Sequence, residues 1–522
     1  MPTRTPALFY IGLDYLQLLS FLGTATPFKW PRVVDDTLVS LAVFNFDLDA
    51  TLSPECLINM SYATKELLVL SLLVALGGGI TIIFMTAKRD SFMDKNAQII
   101  SNIIYLMPII KRALPLIALL LAIPVTLKSQ TDNTDRILSQ TSIKEIHSSN
   151  LGIDQSEIED IRRAMQTAVD GEFIPGALLL VGNRDGVGLL ETVGMQSPAK
   201  KTPVNKDTIF RIFSMTKPII SVAIMTMVED GLIDLSDPLE KYIPEFANLQ
   251  VINKETGLPE AAKTSITVEN LLTHQSGIIQ AIFSPDSDLG KRYMTELRGD
   301  FSAQEFAAKL GTLPVYFEPG SAWHYGHSTD VLGAVLEIAG GKTLDIILQE
   351  RIFDPLGMDE TRFWVPKSKT YRIAEPAKGT ALGDNTIPRK MLSGGGGLNS
   401  TTEDYVRFAE MLLNQGEYRG NRIINKATLD LMREKKIKDI VSREYFFYGN
   451  RGDWGLGFHL QPTTENENGP HNFGWRGIAG TYFAVDIEND FYMIYMEQKR
   501  GGPRAPFNAN VATQMVYEAM AD

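Results

Sequence analysis

The sequence predicts a mixed α/β chain of the α+β kind: an antiparallel sheet flanked by helices, preceded by a separate helical region with membrane character. Three observations carry this expectation. The 522 residues exceed three times the roughly 150 of an average domain, so the chain should hold at least two parts. Between Ile158 and Val193 the signals run helix, strand, strand, an order that suits an antiparallel sheet better than strict βα alternation. Residues 67–87 form a run of 21 residues without a charge, unlike anything after residue 150.

Residues 1–127 read as an N-terminal region with one or two transmembrane helices. The run Leu67–Ala87 is rich in Leu, Val and Ile and is flanked by Lys65-Glu66 and Lys88-Arg89. At about 1.5 Å per residue it is long enough to cross a hydrocarbon core of roughly 30 Å. Gly77, Gly78 and Gly79 weaken it as a soluble helix but are tolerated in a membrane. A second apolar stretch, residues 113–127, is shorter and contains Pro115 and Pro124, so it reads as a short span, a re-entrant segment or a signal-type core. Lys88, Arg89, Lys95, Lys111 and Arg112 against Asp90 and Asp94 place the connecting loop in the cytoplasm and both chain ends on the other side. The run from Met107, Met-Pro-Ile-Ile-Lys-Arg before apolar residues, also reads as a secretory signal, with residues 1–106 an extension of the gene model and the mature protein secreted. Residues 7–22 are apolar apart from Asp14 and suit an interfacial helix or a third membrane element. Residues 128–150 read as a polar linker.

Charge separates the two parts. Residues 1–150 carry 12 basic and 12 acidic residues out of 50 and 62, so the net charge of -12 lies in residues 151–522. That balance argues against nucleic acid as a partner, which would need basic surface. Cys56 is the single cysteine, so no intrachain disulfide and no cysteine-based zinc site can form.

In the second part, Ile158–Val169 has helical apolar spacing, and Ala177–Val181 and Gly188–Val193 read as strands joined by a turn at Asn183-Arg184-Asp185-Gly186. The segment Phe210–Gly231 carries the chemistry. Pro218 suits the first turn of a helix and Gly231 supplies a stop, so a helix starts near Ser214 to Lys217. Residues three apart share a helix face, which brings the Lys217 amine toward the Ser214 hydroxyl. A serine is a weak nucleophile until a base takes its proton, and the positive potential of the helix N-terminus favours the developing anion. Taken alone, Ser-x-x-Lys is a weak signal.

From about Ile158 to the C-terminus the sequence resembles the serine β-lactamase and penicillin-binding-protein-like superfamily, in its class C and family VIII esterase branch. Phe213-Ser-Met-Thr-Lys-Pro218 resembles the first motif. In order follow Ile266-Thr-Val-Glu-Asn-Leu-Leu-Thr-His-Gln-Ser-Gly277, the stretch Phe317–Gly333, Ile352-Phe-Asp-Pro-Leu-Gly-Met-Asp359 and Gly394–Asp404. The resemblance implies a serine β-lactamase-like fold with an added mainly helical subdomain over residues 151–522. It makes Ser214 the acylated nucleophile, Lys217 its proton partner and Tyr325 a second proton-transfer group, with no cofactor and no metal. The oxyanion hole is then formed by the backbone N–H groups of Ser214 and Ile478.

Two departures shift the implied substrate. The third motif falls at Trp475-Arg476-Gly477, where the family more often has a lysine or histidine. A lysine would pair with the carboxylate of a lactam or peptide, whereas an indole offers an apolar face and one donor, and Trp-x-Gly resembles the variant of family VIII esterases and related acyltransferases, which implies esters over lactams. Arg476 could receive an anionic group or be an outward-facing strand residue. His327 stands where asparagine is common and suits a bond to substrate, a bond to Lys217 or a helix cap. Gly394–Gly397 lack the Gly-Lys-Ser/Thr of a phosphate loop and read as a tight turn beside the site. His324, His327 and Asp330 have metal-like spacing, which the tyrosine motif explains better; His147, His274, His459 and His471 read as ordinary packed or surface residues. Asn59-Met-Ser61 and Asn399-Ser-Thr401 are glycosylation sequons if luminal. The expectation is a membrane-tethered serine hydrolase, a carboxylesterase acting on a small ester or amide. Its alternatives are an acyltransferase, D-amino peptidase or β-lactamase on the same fold, or a catalytically silent scaffold.

Overall fold

Residues 143–463 and 471–521 are described by the computed structural model. The expected membrane segments at 67–87 and 113–127, the stretch 7–22, a start at Met107 and the Asn59 sequon lie outside the described residues. Among the described residues no helix is long and apolar enough to cross a membrane.

Helix α1 (Gln155–Asp170) starts after Asp154, whose backbone N–H donates to the Glu157 carboxylate at 2.6 Å, closing one of the donors a helix start leaves open. The hairpin of β1 (Gly176–Asn183) and β2 (Gly186–Ser197) follows, its turn held by the Asn183 side-chain oxygen accepting from the Asp185 N–H at 2.9 Å. After β3 (Thr202–Pro203) and β4 (Phe210–Arg211) comes α2 (Thr216–Glu229), which ends before Gly231 in the left-handed region at φ +70°. A mainly helical stretch then contains β5 (Gln250–Ile252), β6 (Pro259–Ala261), α3 (Val268–Leu272), α4 (Asp288–Glu296), α5 (Ala303–Gly311), α6 (Ser328–Gly340), α7 (Leu344–Leu348) and α8 (Asp354–Leu356). The chain returns through β7 (Asn399–Ser400), α9 (Thr402–Leu413), β8 (Glu417–Tyr418), β9 (Asn421–Arg422) and α10 (Lys426–Met432). It finishes with β10 (Asp453–Trp454), β11 (His459–Pro462), β12 (His471–Arg476), β13 (Tyr482–Asp486), β14 (Phe491–Glu497) and α11 (Ala509–Ala521).

Eight strands form one sheet in the order β10-β11-β12-β13-β14-β1-β2-β3, every pair antiparallel. Alternation along β1 assigns its two faces: Ala177, Leu179 and Val181 pack with α1 and α11, whereas Leu178 and Leu180 join the larger core around α2. Both faces are covered, which is why β1 is buried along its whole length and reads as a continuous apolar run. Helix α2 is central, with every residue from Thr216 to Met227 buried.

The end of the stretch read as a linker is built into this domain. Glu145 bridges Val187, with the Ile146 N–H donating to the Val187 carbonyl at 2.9 Å, and residues 148–151 form a 3₁₀ turn. Glycine on β2 permits the approach, since a Cβ at Gly186 would lie 2.4 Å from the Lys144 carbonyl oxygen. The Asn399 sequon is also closed in the folded chain: Asn399 is 2% exposed and its side-chain NH₂ donates to the Arg362 and Phe363 carbonyls.

At the end of β14, burial pushes the Glu497 carboxyl up to about 7, against the opposing bond from the Tyr495 hydroxyl and the charge of Lys499. A folded value above the ordinary 4.5 means that stability is full below about 4.5 and declines as pH rises through 7. At about 1.4 kcal/mol per unit the loss is on the order of 3 kcal/mol. Glu497→Gln, which has no charge to bury, is therefore expected to raise Tm at pH 8 and leave it nearly unchanged at pH 4.5. Equal Tm changes at both pH values in a thermal melt would refute this.

Candidate active site

The turn before α2 is fixed from several sides. The Ile212 N–H donates to the Leu398 carbonyl, the Leu398 N–H donates to the Thr216 hydroxyl, both at 3.1 Å, and the buried Tyr405 hydroxyl donates to the Met215 carbonyl at 2.9 Å. Phe213 sits at φ +45°, a strained value for a residue with a Cβ, immediately before Ser214. A 3₁₀ turn over Phe213–Met215 thus presents Ser214, half-buried, at the head of the helix that carries Lys217.

Lys217 is 3% exposed. Its Nζ lies 2.6 Å from the Gly395 carbonyl oxygen, 3.4 Å from Ser214 Oγ and 4.6 Å from the centre of the Tyr325 ring. Burying an ammonium costs several kcal/mol, and the cation–π contact returns on the order of 1. Among the described residues no carboxylate forms an ion pair with Lys217. The Ser214 distance is at the long end of a hydrogen bond, as is common before substrate tightens a catalytic pair.

Tyr325 is 3% exposed and accepts a 3.0 Å bond from Trp475 Nε1, so strand β12 and the segment before α6 meet at its oxygen. A phenol has a donor and two acceptor sites, which leaves Tyr325 able to relay a proton while Trp475 holds it. Just past β12, Gly477 lies against the nucleophile turn: a Cβ there would sit 2.5 Å from the Ile212 carbonyl oxygen and 2.3 Å from Thr481 Oγ1. Ile478 follows, 41% exposed, and its N–H meets no acceptor among the described residues, as suits an oxyanion donor.

Two expected substrate contacts are placed elsewhere. Arg476 donates to Asn510 Oδ1 of α11 at 3.1 Å and lies 5.3 Å from the Tyr482 ring, on the sheet face opposite Trp475. Strand alternation forces this once Trp475 faces Tyr325. His327 bonds neither Lys217 nor Ser214; it is the N-cap residue of α6, with its carbonyl accepting from the Val331 N–H at 3.1 Å, but its side chain makes no cap bond and its Nδ1 donates to Asp330 Oδ2 at 2.8 Å. His324 turns its Nδ1 to the Tyr325 carbonyl and its Nε2 to Ser284, so the three metal-like residues do not converge.

His274, which reads from the sequence as an ordinary packed or surface residue, is packed against the site. It is fully buried with its ring 4.7 Å from that of Tyr325 and with Nδ1 unpartnered. Burial, helped by the nearby charges of Lys217 and His324, pushes its pKa well below the ordinary value, so it packs against the site as a neutral ring. Phe283 and Phe447, centred 5.3 and 5.4 Å from Tyr325, are 37% and 47% exposed and give the mouth of the site an apolar rim. The Thr-His-Gln-Ser-Gly stretch was the available signal for His274, and no local pattern marked the two phenylalanines.

The chain is similar to several known proteins. The chain is 30% identical over 359 residues to Protein Rv1367c of Mycobacterium tuberculosis, covering 64% of this chain and 88% of that protein. It is 30% identical over 202 residues to Esterase EstB of Burkholderia gladioli, covering 38% and 49%. The structure of EstCE1, described as a hydrolase with promiscuous acyltransferase activity, superposes with a TM-score of 0.59 at 20% identity over 70% of this chain and 99% of that one. A family model described as beta-lactamase matches residues 161–515, more than half of the sequence, and with it the antiparallel sheet, α2 and the Ser214 turn: the chain belongs to the beta-lactamase family.

Proposed function

We propose that this chain is a serine carboxylesterase that works through an acyl-enzyme on Ser214. The observation that carries the reading is Lys217, buried without a carboxylate partner and aimed at Ser214 Oγ beside Tyr325. Ser214 Oγ attacks the ester carbonyl while its proton passes to Lys217. Charge on the carbonyl oxygen is met by the N–H groups of Ser214 and Ile478, an arrangement that typically contributes roughly 3–4 kcal/mol. Tyr325 delivers a proton to the departing alkoxide, and water attacks the acyl-enzyme by the reverse path.

Esters are favoured over β-lactams and D-amino peptides by charge. Those substrates present a carboxylate, whereas Lys217 faces Ser214 and Arg476 directs one guanidinium N–H to Asn510. Trp475, Phe283, Phe447 and Ile478 instead offer apolar surface to an uncharged acyl or alcohol group. The name of EstB points the same way. We also propose that the uncharged run at 67–87 attaches the protein to a membrane, with the hydrolase domain on the non-cytoplasmic side.

The test is a panel of p-nitrophenyl esters, a D-alanyl-D-alanine peptide and a chromogenic cephalosporin, given to the full-length chain in detergent. We expect kcat/KM for the best ester to exceed that for either carboxylate-bearing substrate by at least about 100-fold, the equivalent of one lost ion-pair contact of about 3 kcal/mol. A cephalosporin turned over as well as the esters would reject the ester assignment. Product partitioning toward an added alcohol in preference to water would make the activity an acyl transfer, and a folded protein inert to all of them would point to a silent scaffold.

A further inference from the structure

A carboxylate in α6 controls the lysine from behind. Asp330 is 5% exposed and its two oxygens take three bonds: Oδ2 from His327 Nδ1 at 2.8 Å, and Oδ1 from the Ser393 hydroxyl at 2.6 Å and the Gly395 N–H at 2.9 Å. The carbonyl of the same Gly395 is the 2.6 Å acceptor for Lys217 Nζ. From this chain of contacts we infer that Asp330 is the positioning residue for Lys217: it pins Gly395, whose carbonyl then holds the amine between Ser214 Oγ and the Tyr325 ring.

The local sequence is shaped for that grip. A Cβ at Gly395 would lie 2.7 Å from Asp330 Oδ2, and one at Gly394 would lie 2.5 Å from the Thr329 carbonyl oxygen, so the loop reaches α6 only as glycine. A buried carboxylate is expensive unless fully bonded. Burial alone would raise the Asp330 carboxyl, but the bond and charge of His327, the charge of Lys217 and the bond from Ser393 outweigh it and hold it at about 2. The anion therefore persists throughout the working pH range. The charged and titratable groups facing it are His327 on its own helix, Lys217 on α2 and the neutral His274. With Asp330 fixed, the position of Lys217 does not depend on substrate, which is what a preorganised base requires.

This inference rests on the Ser214 acyl-enzyme reading, and one experiment separates the two. The full-length chain and its Asp330→Asn and Gly395→Ala variants are compared for ester kinetics from pH 5 to 10 and for the rate of Ser214 labelling by a fluorophosphonate probe. If the wild-type protein is not labelled at Ser214, the acyl-enzyme reading itself fails. Given labelling, Asp330→Asn should lower kcat and the labelling rate by about 30- to 100-fold, the effect of misplacing a reacting group by roughly 1 Å, with KM changed less than about twofold. The labelling rate should fall by the same factor as kcat while KM holds, a split that a general loss of structure would not give. Gly395→Ala keeps the carboxylate and displaces the carbonyl, so it should lower kcat by a similar factor with the same split, and it decides the matter alone if the Asp330 variant does not fold. Unchanged kcat in Gly395→Ala, or a change confined to KM in either variant, overturns the inference.

Discussion

Replacing Ser214 with alanine is expected to lower ester turnover by on the order of 10⁴- to 10⁶-fold, to the level left by binding and the oxyanion donors alone. The substitution removes one half-buried hydroxyl whose bond to Lys217 is 3.4 Å, so Tm should change by no more than a degree or two. Lys217→Ala should fall by at least about 10³-fold, since among the described residues Lys217 Nζ is the side-chain group hydrogen-bonded to Ser214 Oγ. Because the two groups act as a unit, the double variant should be no slower than Ser214→Ala. Steady-state ester hydrolysis by the three variants checks this, and a Lys217→Ala enzyme at the wild-type rate would remove the lysine from the mechanism.

Gly326→Ala should be the most damaging single methyl in the site. Its Cβ would stand 1.8 Å from the Ile278 carbonyl oxygen and 2.8 Å from the carbonyl carbon, both backbone atoms that no rotamer change can move aside. Segments 278 and 326 must separate by more than 1 Å to accept it, which places the cost at or above about 3 kcal/mol, the upper range for overpacking. Tyr325 is the adjacent residue, so its oxygen leaves Trp475 Nε1 and kcat falls together with Tm. A thermal melt and ester assay of the variant report both effects. A Tm within a degree of wild type would show that the two segments do not approach this closely.

Much of the framework was legible because it depends on short-range rules. Pro218 and Gly231 bracket α2 through proline's fixed φ and glycine's access to the left-handed region, and the Asn183–Gly186 turn fixes the β1–β2 register. Ser214 and Lys217 meet because helix geometry brings residues three apart together. The remainder depends on which distant segments touch. Asp330 reads as a metal-like neighbour of two histidines, and only the arrival of residues 393–395, more than 60 positions away, makes it an anchor. Arg476 reads from strand alternation as an outward-facing residue or an anion contact, and the bond of Trp475 to Tyr325 puts it on the outward face. The end of the polar stretch at 128–150 lacked the apolar pattern of a strand and joins the domain through backbone bonds to Val187. Such pairings have no periodic signal.

The covalent intermediate on Ser214 is the claim on which the rest stands. Rapid acid quench of the full-length chain with a p-nitrophenyl ester, followed by intact-mass and peptide analysis, measures it directly. The account predicts a mass gain equal to the acyl group, carried by the peptide containing Ser214 and lost in Ser214→Ala, with a burst of one p-nitrophenol per chain. Sustained turnover with no acyl mass on that peptide, or undiminished turnover by Ser214→Ala, would contradict it.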